Sequence, residues 1–142
     1  MNLFKDDRCF VCGKENPRGL RIEVKRWERG ATFQFRADET FKGWSHYLHG
    51  GVISMLFDEL LGWTSRFFGF TALTARLEVR YKKPIPLGST VTFRAELERE
   101  VKRLLYIRTA AYLEDGTLAA EGKGTVMVME RGQEGKSPPG PS

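Results

Sequence analysis

The sequence predicts an α+β chain in which an antiparallel sheet of five to six strands wraps around one long central helix. Two observations predict it. From Gly51 to about Phe68 apolar residues such as Val52, Ile53, Leu56, Phe57, Leu60 and Leu61 cover most of a helix circumference, a pattern that a fold must largely enclose. On either side of that stretch the hydrophobic period changes to two, with two alternating runs before the helix and four after it.

At 142 residues the chain fits one domain, large enough to bury a core without staples. It divides into a lead-in loop with a CxxC motif (1–19), a single folded domain (20–130) and a polar tail (131–142) expected to be disordered. No run is long and apolar enough for a membrane span. The start, MNLFKDDRCF, carries acids where a signal peptide has positive charge followed by an apolar block, so a cytoplasmic location is expected. The net charge of +5 suits an anionic ligand, but the basic residues are interspersed with acids rather than gathered into a stripe. A small anion is expected as partner, and no nucleic acid.

The lead-in, CFVCGKENPRG, is dense in Gly, Pro and Asn and reads as an ordered loop. Leu20, Ile22 and Val24 alternate with Arg21, Glu23 and Lys25. After a turn at Glu28-Arg29-Gly30, Ala31, Phe33 and Phe35 alternate with Thr32, Gln34 and Arg36, completing a hairpin with one apolar face. The segment ETFKGWSHYLHG is aromatic and aperiodic, a packed loop that delivers the chain to the helix. Beyond the helix, Ala75, Leu77, Val79 and Tyr81 alternate with Thr74, Arg76, Glu78 and Arg80 until the prolines of KKPIPLG stop the strand. Two further alternating runs follow, from Val91 and from Leu105. Asp115-Gly116 marks a two-residue hairpin turn before a last strand to Met129. A sheet wrapped on one helix leaves edges, so a homodimer or a dimer of dimers is expected to cover them.

Cys9-x-x-Cys12 has no second CxxC, and a closed four-ligand zinc site would need His46 and His49 or a partner chain. A redox pair would sit between a strand and a helix, and this motif precedes both. The simplest reading is two packed or exposed thiols, with neither metal nor cofactor required.

The chemistry concentrates at LHGGVISMLFDELLGW, residues 48–63. Gly50 and Gly51 open the helix with free N–H groups, no side chain to obstruct approach, and the positive end of the helix dipole, which suits a carbonyl oxygen that becomes negative during reaction. One narrow helix face, Gly51, Ser54, Asp58, Gly62 and Ser65, is small and polar, fit for close packing against a second backbone. Asp58 is the acid on that face, and such a carboxylate can activate water or attack a carbonyl. Glu59 points about 100° away around the helix and is the weaker candidate. His49 is expected in a supporting role. Arg76 and Arg80, with Lys82 and Lys83, form a basic strip that can meet phosphates. No Ser nucleophile elbow or GxGxxG loop is present.

HGGVISMLFDE followed by TARLEVRYKKPIPLG resembles the hotdog-fold acyl-CoA thioesterases of the PaaI-like group, and CFVCGKENPRGL is similar to the lead-in of many members. The resemblance covers about residues 9–129. It implies a hotdog fold, dimers with a continuous sheet, often tetramers, and sites between subunits that hydrolyse acyl-CoA without metal. By position it implies Gly50 as an oxyanion donor, Asp58 as the catalytic carboxylate, and Thr74, sixteen residues on, as a positioning hydroxyl. Many relatives carry Asn or Gln upstream of HGG to bind the thioester. Here the loop reads FKGWSHYLHGG, which leaves Ser45 or His46 as substitutes. An acyl-CoA-binding sensor and a hotdog hydratase or dehydratase are the rival readings. No added DNA-binding helix pair is present, and the HGG-to-aspartate spacing favours the thioesterase.

Overall fold

In the computed structural model, which describes residues 7–131, the central helix α1 runs Gly50–Phe67. Its start is set by His49, the N-cap, whose backbone is extended (φ −63°, ψ 130°) and whose Nδ1 accepts the Gly51 N–H at 2.8 Å. Its end is set by Gly69 at φ 82°, a left-handed residue whose N–H returns to the Arg66 carbonyl at 2.9 Å. Between these points Ile53, Leu56, Phe57, Leu60 and Leu61 are buried, whereas Gly51, Asp58 and Gly62 are exposed. The helix is therefore covered on one side more than the composition of its circumference predicts, because one sheet can sheathe only the side it faces.

That sheet is antiparallel throughout. Its strands are β1 (Lys25–Trp27), β2 (Gly30–Arg36), β3 (Phe70–Tyr81), β4 (Thr90–Val101), β5 (Leu104–Tyr112) and β6 (Leu118–Arg131), in the spatial order β1-β2-β4-β5-β6-β3. This is the hotdog arrangement. The inward residues Phe33, Phe35, Val91, Phe93, Leu105, Ile107 and Val126 meet the buried side of α1. Phe33 stacks on Phe93 with centroids 5.1 Å apart, and Phe57 of the helix meets Phe93 edge-on at 5.7 Å. The helix rests directly on β6. A Cβ at Gly122 would stand 2.6 Å from Thr109 Oγ1 and 3.1 Å from Phe57 Cδ2, and one at Gly124 only 2.4 Å from Leu61 Cδ1, so both positions demand glycine.

Two local expectations are corrected. The first strand does not begin at Leu20, since Arg21 at φ 53° interrupts the extended run, and the amides of Leu20 and Ile22 bond to the Phe10 and Val11 carbonyls at 2.9 Å each. Leu20, Ile22 and Val24 still pack on the core. Their alternation reports burial rather than strand pairing. The second correction concerns Asp115-Gly116, which lies in a three-residue loop closed by Leu113 N–H to Thr117 O at 2.9 Å, with Gly116 at φ 90°. A left-handed glycine at the end of a three-residue loop is the next most common hairpin solution after the two-residue turn.

The lead-in from residue 7 is turn-rich, without helix or strand up to β1. Arg131, expected in the tail, completes β6, and residues 132–142 lie outside the described residues, as do 1–6. Among the described residues no helix is long and apolar enough to cross a membrane.

Candidate active site

Asp58 stands on the exposed flank of α1, and its Oδ1 accepts a hydrogen bond from the Thr74 hydroxyl at 2.6 Å. Strict alternation would have sent Thr74 outward with Arg76, Glu78 and Arg80. The β3–β6 register shows why it does not. Thr74 pairs with Val126 and Arg76 with Thr125, so Ala75 is an extra residue, a bulge that reverses the alternation upstream of it. Thr74 is thereby re-aimed toward the helix, on the side where Leu77 and Val79 pack against the core. With Oδ1 held, Oδ2 has no hydrogen-bond partner among the described residues.

At the helix start the two glycines differ. Gly51 N–H is taken by His49 Nδ1, so the expectation of two free donors is corrected: a capping histidine uses one of them. That acceptor role places the proton of neutral His49 on Nε2. Gly50 N–H has no hydrogen-bond partner among the described residues. A Cβ on Gly51 would lie 2.9 Å from His49 Cε1, so glycine is needed there for the cap to seat. Tyr81, which sequence reasoning did not single out, donates its hydroxyl to the Gly50 carbonyl at 3.0 Å and meets Ser54 Oγ at 2.5 Å. Since the phenol has one proton, Ser54 is the donor of that second bond. Strand β3 is thus tied to the open flank of α1 at two points, by Thr74 and by Tyr81.

The remaining expected contacts are looser. Ser45 and His46 are both exposed, and their loop is pinned through backbone, with Leu87 N–H on His46 O at 2.8 Å and Leu48 N–H on Ile85 O at 2.9 Å. No hydrogen bond links either side chain to Asp58 or to the helix start among the described residues. The basic strip is partly neutralised: Arg76 pairs with Glu78 at 3.3 Å, while Arg80 and Lys82 reach Glu121 at 4.0 and 3.5 Å. Exposed pairs of this kind cost little to open for a stronger anion. Lys83 lies beside them, and its N–H bonds to Ala119 O.

The other acid of the helix faces a different environment. Trp63 Nε1–H donates to Glu59 Oε2 at 2.9 Å, and Cys9 Sγ stands 3.9 Å from Oε1. His46 and His49 are not joined to the cysteines; the third group beside Cys9 and Cys12 is Glu59. Spacing alone could not reveal this, because the lead-in and the helix meet across fifty positions of sequence.

A family model described as the Thioesterase superfamily matches residues 46–120, just over half of the chain. Acyl-coenzyme A thioesterase THEM4 of Mus musculus is 32% identical over 123 residues, covering 75% of this chain and 53% of the relative. The chain spans about half the length of the curated relatives it matches first. Among solved structures, smu.793 from Streptococcus mutans UA159, bound to acetyl CoA, superposes with a TM-score of 0.74 at 19% identity, over 79% of this chain and 91% of that one. A hypothetical thioesterase protein from Streptococcus pneumoniae TIGR4 was solved as two alanine variants, of an aspartate and of a threonine sixteen positions later. Both superpose with a TM-score of 0.73 at 15% identity, over 78% of this chain and 92% and 91% of theirs. These structures share the fold, and on the match over residues 46–120 the chain belongs to the Thioesterase superfamily.

Proposed function

We propose that the chain hydrolyses acyl-CoA thioesters to the free acid and CoA, at a site built by two copies of itself. The observation that carries this reading is the exposed Asp58 carboxylate, anchored through one oxygen by Thr74 at 2.6 Å. A carboxylate so held presents its second oxygen in a fixed direction, as an attacking group requires. The names of the curated relatives and the acetyl CoA bound to the Streptococcus mutans protein support the substrate class. The aspartate and threonine altered in the Streptococcus pneumoniae protein have the separation of Asp58 and Thr74.

The need for two copies follows from helix geometry. Gly50 and Asp58 are eight positions apart on one helix, so they are separated by roughly 12 Å of rise. A reacting carbonyl needs its oxyanion donor and its attacking group each within about 3 Å. One chain cannot supply both, whereas Gly50 N–H of one protomer and Asp58 of its partner can. Strand β3 offers the means. It is a long edge strand with Leu73 and Tyr81 exposed, and extending the sheet across it into a second copy would cover that edge and bring the open flanks of two helices near one another. A homodimer, or a dimer of dimers, is the working assembly.

In the reaction, Gly50 N–H stabilises the oxygen as the tetrahedral centre forms, and the thiolate of CoA departs. Asp58 either takes a proton from the attacking water or adds to the carbonyl, giving an anhydride that water then opens. A single turnover in ¹⁸O-water detects an anhydride opened at the Asp58 carbonyl carbon, since label then enters Asp58, whereas general-base attack leaves Asp58 unlabelled. On this reading Arg80, Lys82 and Lys83 meet the phosphates of CoA, and Ser45 or His46 the loop side of the thioester.

Thiol release across acyl-CoAs of different chain length and aromaticity tests the activity. Asp58→Ala should lose turnover while still binding CoA, and undiminished turnover would sink the proposal. Mixing Asp58→Ala with Gly50→Pro chains tests the shared site. Subunit exchange should restore roughly a quarter of wild-type activity, because half of the dimers then carry one intact site of two. A binding module would show no turnover in the wild type, and a hydratase would consume enoyl-CoA without releasing thiol.

A further inference from the structure

We propose that Cys9, Cys12 and Glu59 form a binding site for a zinc-class divalent cation, which clasps the lead-in segment to the covered flank of α1. The three side chains come together although the motif and the helix are far apart in sequence, with one donor atom of each lying within 4.8 Å of the others. Tetrahedral zinc with bonds of about 2.3 Å to sulfur and about 2.1 Å to oxygen sets S···S near 3.8 Å and S···O near 3.6 Å. Cys9 Sγ to Glu59 Oε1 is already 3.9 Å. Closing onto an ion therefore needs only small side-chain adjustments.

The surroundings are built in the same sense. Val11 N–H points at Cys9 Sγ, 3.4 Å away, and Gly13 N–H closes the turn on the Cys9 carbonyl at 2.9 Å. Gly13 permits that closure, since a Cβ there would fall 2.3 Å from Cys9 N. On the helix side the Trp63 indole holds Glu59 Oε2 and leaves Oε1 toward the sulfurs, the way an outer partner orients a metal-binding carboxylate. All three donor residues are half-buried, so solvent can provide the fourth ligand.

The alternative use of a CxxC motif, thiol redox chemistry, needs an electropositive setting that favours thiolate. Here the reverse holds. The charged group beside the thiols is a carboxylate and not a cation, with Glu59 Oε1 3.9 Å from Cys9 Sγ. A cation between the three groups removes that conflict. Binding releases the two thiol protons to solvent and forms two metal–sulfur bonds and one metal–carboxylate bond, with no change of oxidation state. Affinity should therefore fall as pH falls. Two thiolates and a carboxylate select zinc-class ions over magnesium or calcium.

The test is cobalt titration of the full chain after chelator treatment and under reductant. One equivalent of Co²⁺ should bind with a sulfur-to-cobalt absorption in the near ultraviolet, and Zn²⁺ should bleach it. Cys12→Ser should remove the band. Trp63→Phe, which keeps every ligand and the aromatic packing, should weaken binding by roughly tenfold or more. Zn²⁺ should raise the melting temperature of the wild type and not of Cys12→Ser. If reduced, folded protein gives no saturable band, or if the band survives in Cys12→Ser, the proposal is overturned. A Cys9–Cys12 disulfide that persists under the reductant overturns it equally.

Discussion

Asp58 and Glu59 are adjacent acids on one helix, yet they occupy unlike surroundings. Asp58 is exposed, fixed through one oxygen by the hydroxyl of an edge strand, with the other oxygen unpaired among the described residues. Glu59, about 100° around the helix, is half-covered by the lead-in and placed between an indole N–H and two thiols. What separates them is the element laid over each. The edge strand stops short of covering its flank, and the lead-in closes over the other. A carboxylate left accessible suits substrate, whereas one enclosed with sulfur suits an ion that holds structure.

The sharpest way to break this contrast is Asp58→Asn, which keeps shape and loses charge. Thiol release should fall by about a thousandfold or more, with the urea midpoint nearly unchanged. Glu59→Gln should do the opposite, shifting melting temperature and cobalt uptake far more than turnover. Next comes Gly50→Pro. Proline is favoured at the first helical position, and His49 already has the extended backbone that proline requires of its predecessor, so the main loss is the N–H itself. Turnover should drop by roughly 10²- to 10³-fold while circular dichroism stays unchanged. Thr74→Val removes a hydrogen bond to a charged group, of about 1.5–3 kcal/mol, and should slow turnover roughly 10- to 100-fold, with Thr74→Ser recovering most of it. Smallest is Gly51→Ala, whose methyl displaces the His49 ring. It should cost about 1 kcal/mol in urea unfolding, the value of an N-cap.

The helix and most strands were legible because burial imposes periods that composition cannot hide. The run Ile53, Leu56, Phe57, Leu60, Leu61 and the alternation through Val91 and Phe93 are direct records of which side faces the core. Asp58 was legible for the converse reason, as a charge on an apolar helix. Other features left no such record. The Ala75 bulge depends on pairing with β6, so the inward turn of Thr74 contradicts its own local alternation. Arg21 sits in a left-handed conformation that nothing in its residue type announces, and it shortens β1. Tyr81 was read as one more apolar strand residue, and its hydroxyl acquires a role only when β3 lies across the start of α1. Glu59 points away from the small polar face, and beside its helix partner Trp63 the groups that give it a setting, Cys9 and Cys12, come from the lead-in.

If the chain hydrolyses acyl-CoA as proposed, the glycines of β6 bear on its selectivity for the acyl group. Leu61 presses on Gly124 so closely that not even a methyl group fits between helix and sheet, Phe57 packs tightly beside Gly122, and both side chains are fully buried. A hydrocarbon tail cannot thread through that layer without prising the domain apart. On the proposed reading, in which two copies share the site, discrimination between short, long and aromatic acyl groups is written on the surfaces where the two protomers meet. Substitutions there could retune substrate range while the interior stays untouched, which separates the evolution of specificity from the upkeep of the fold.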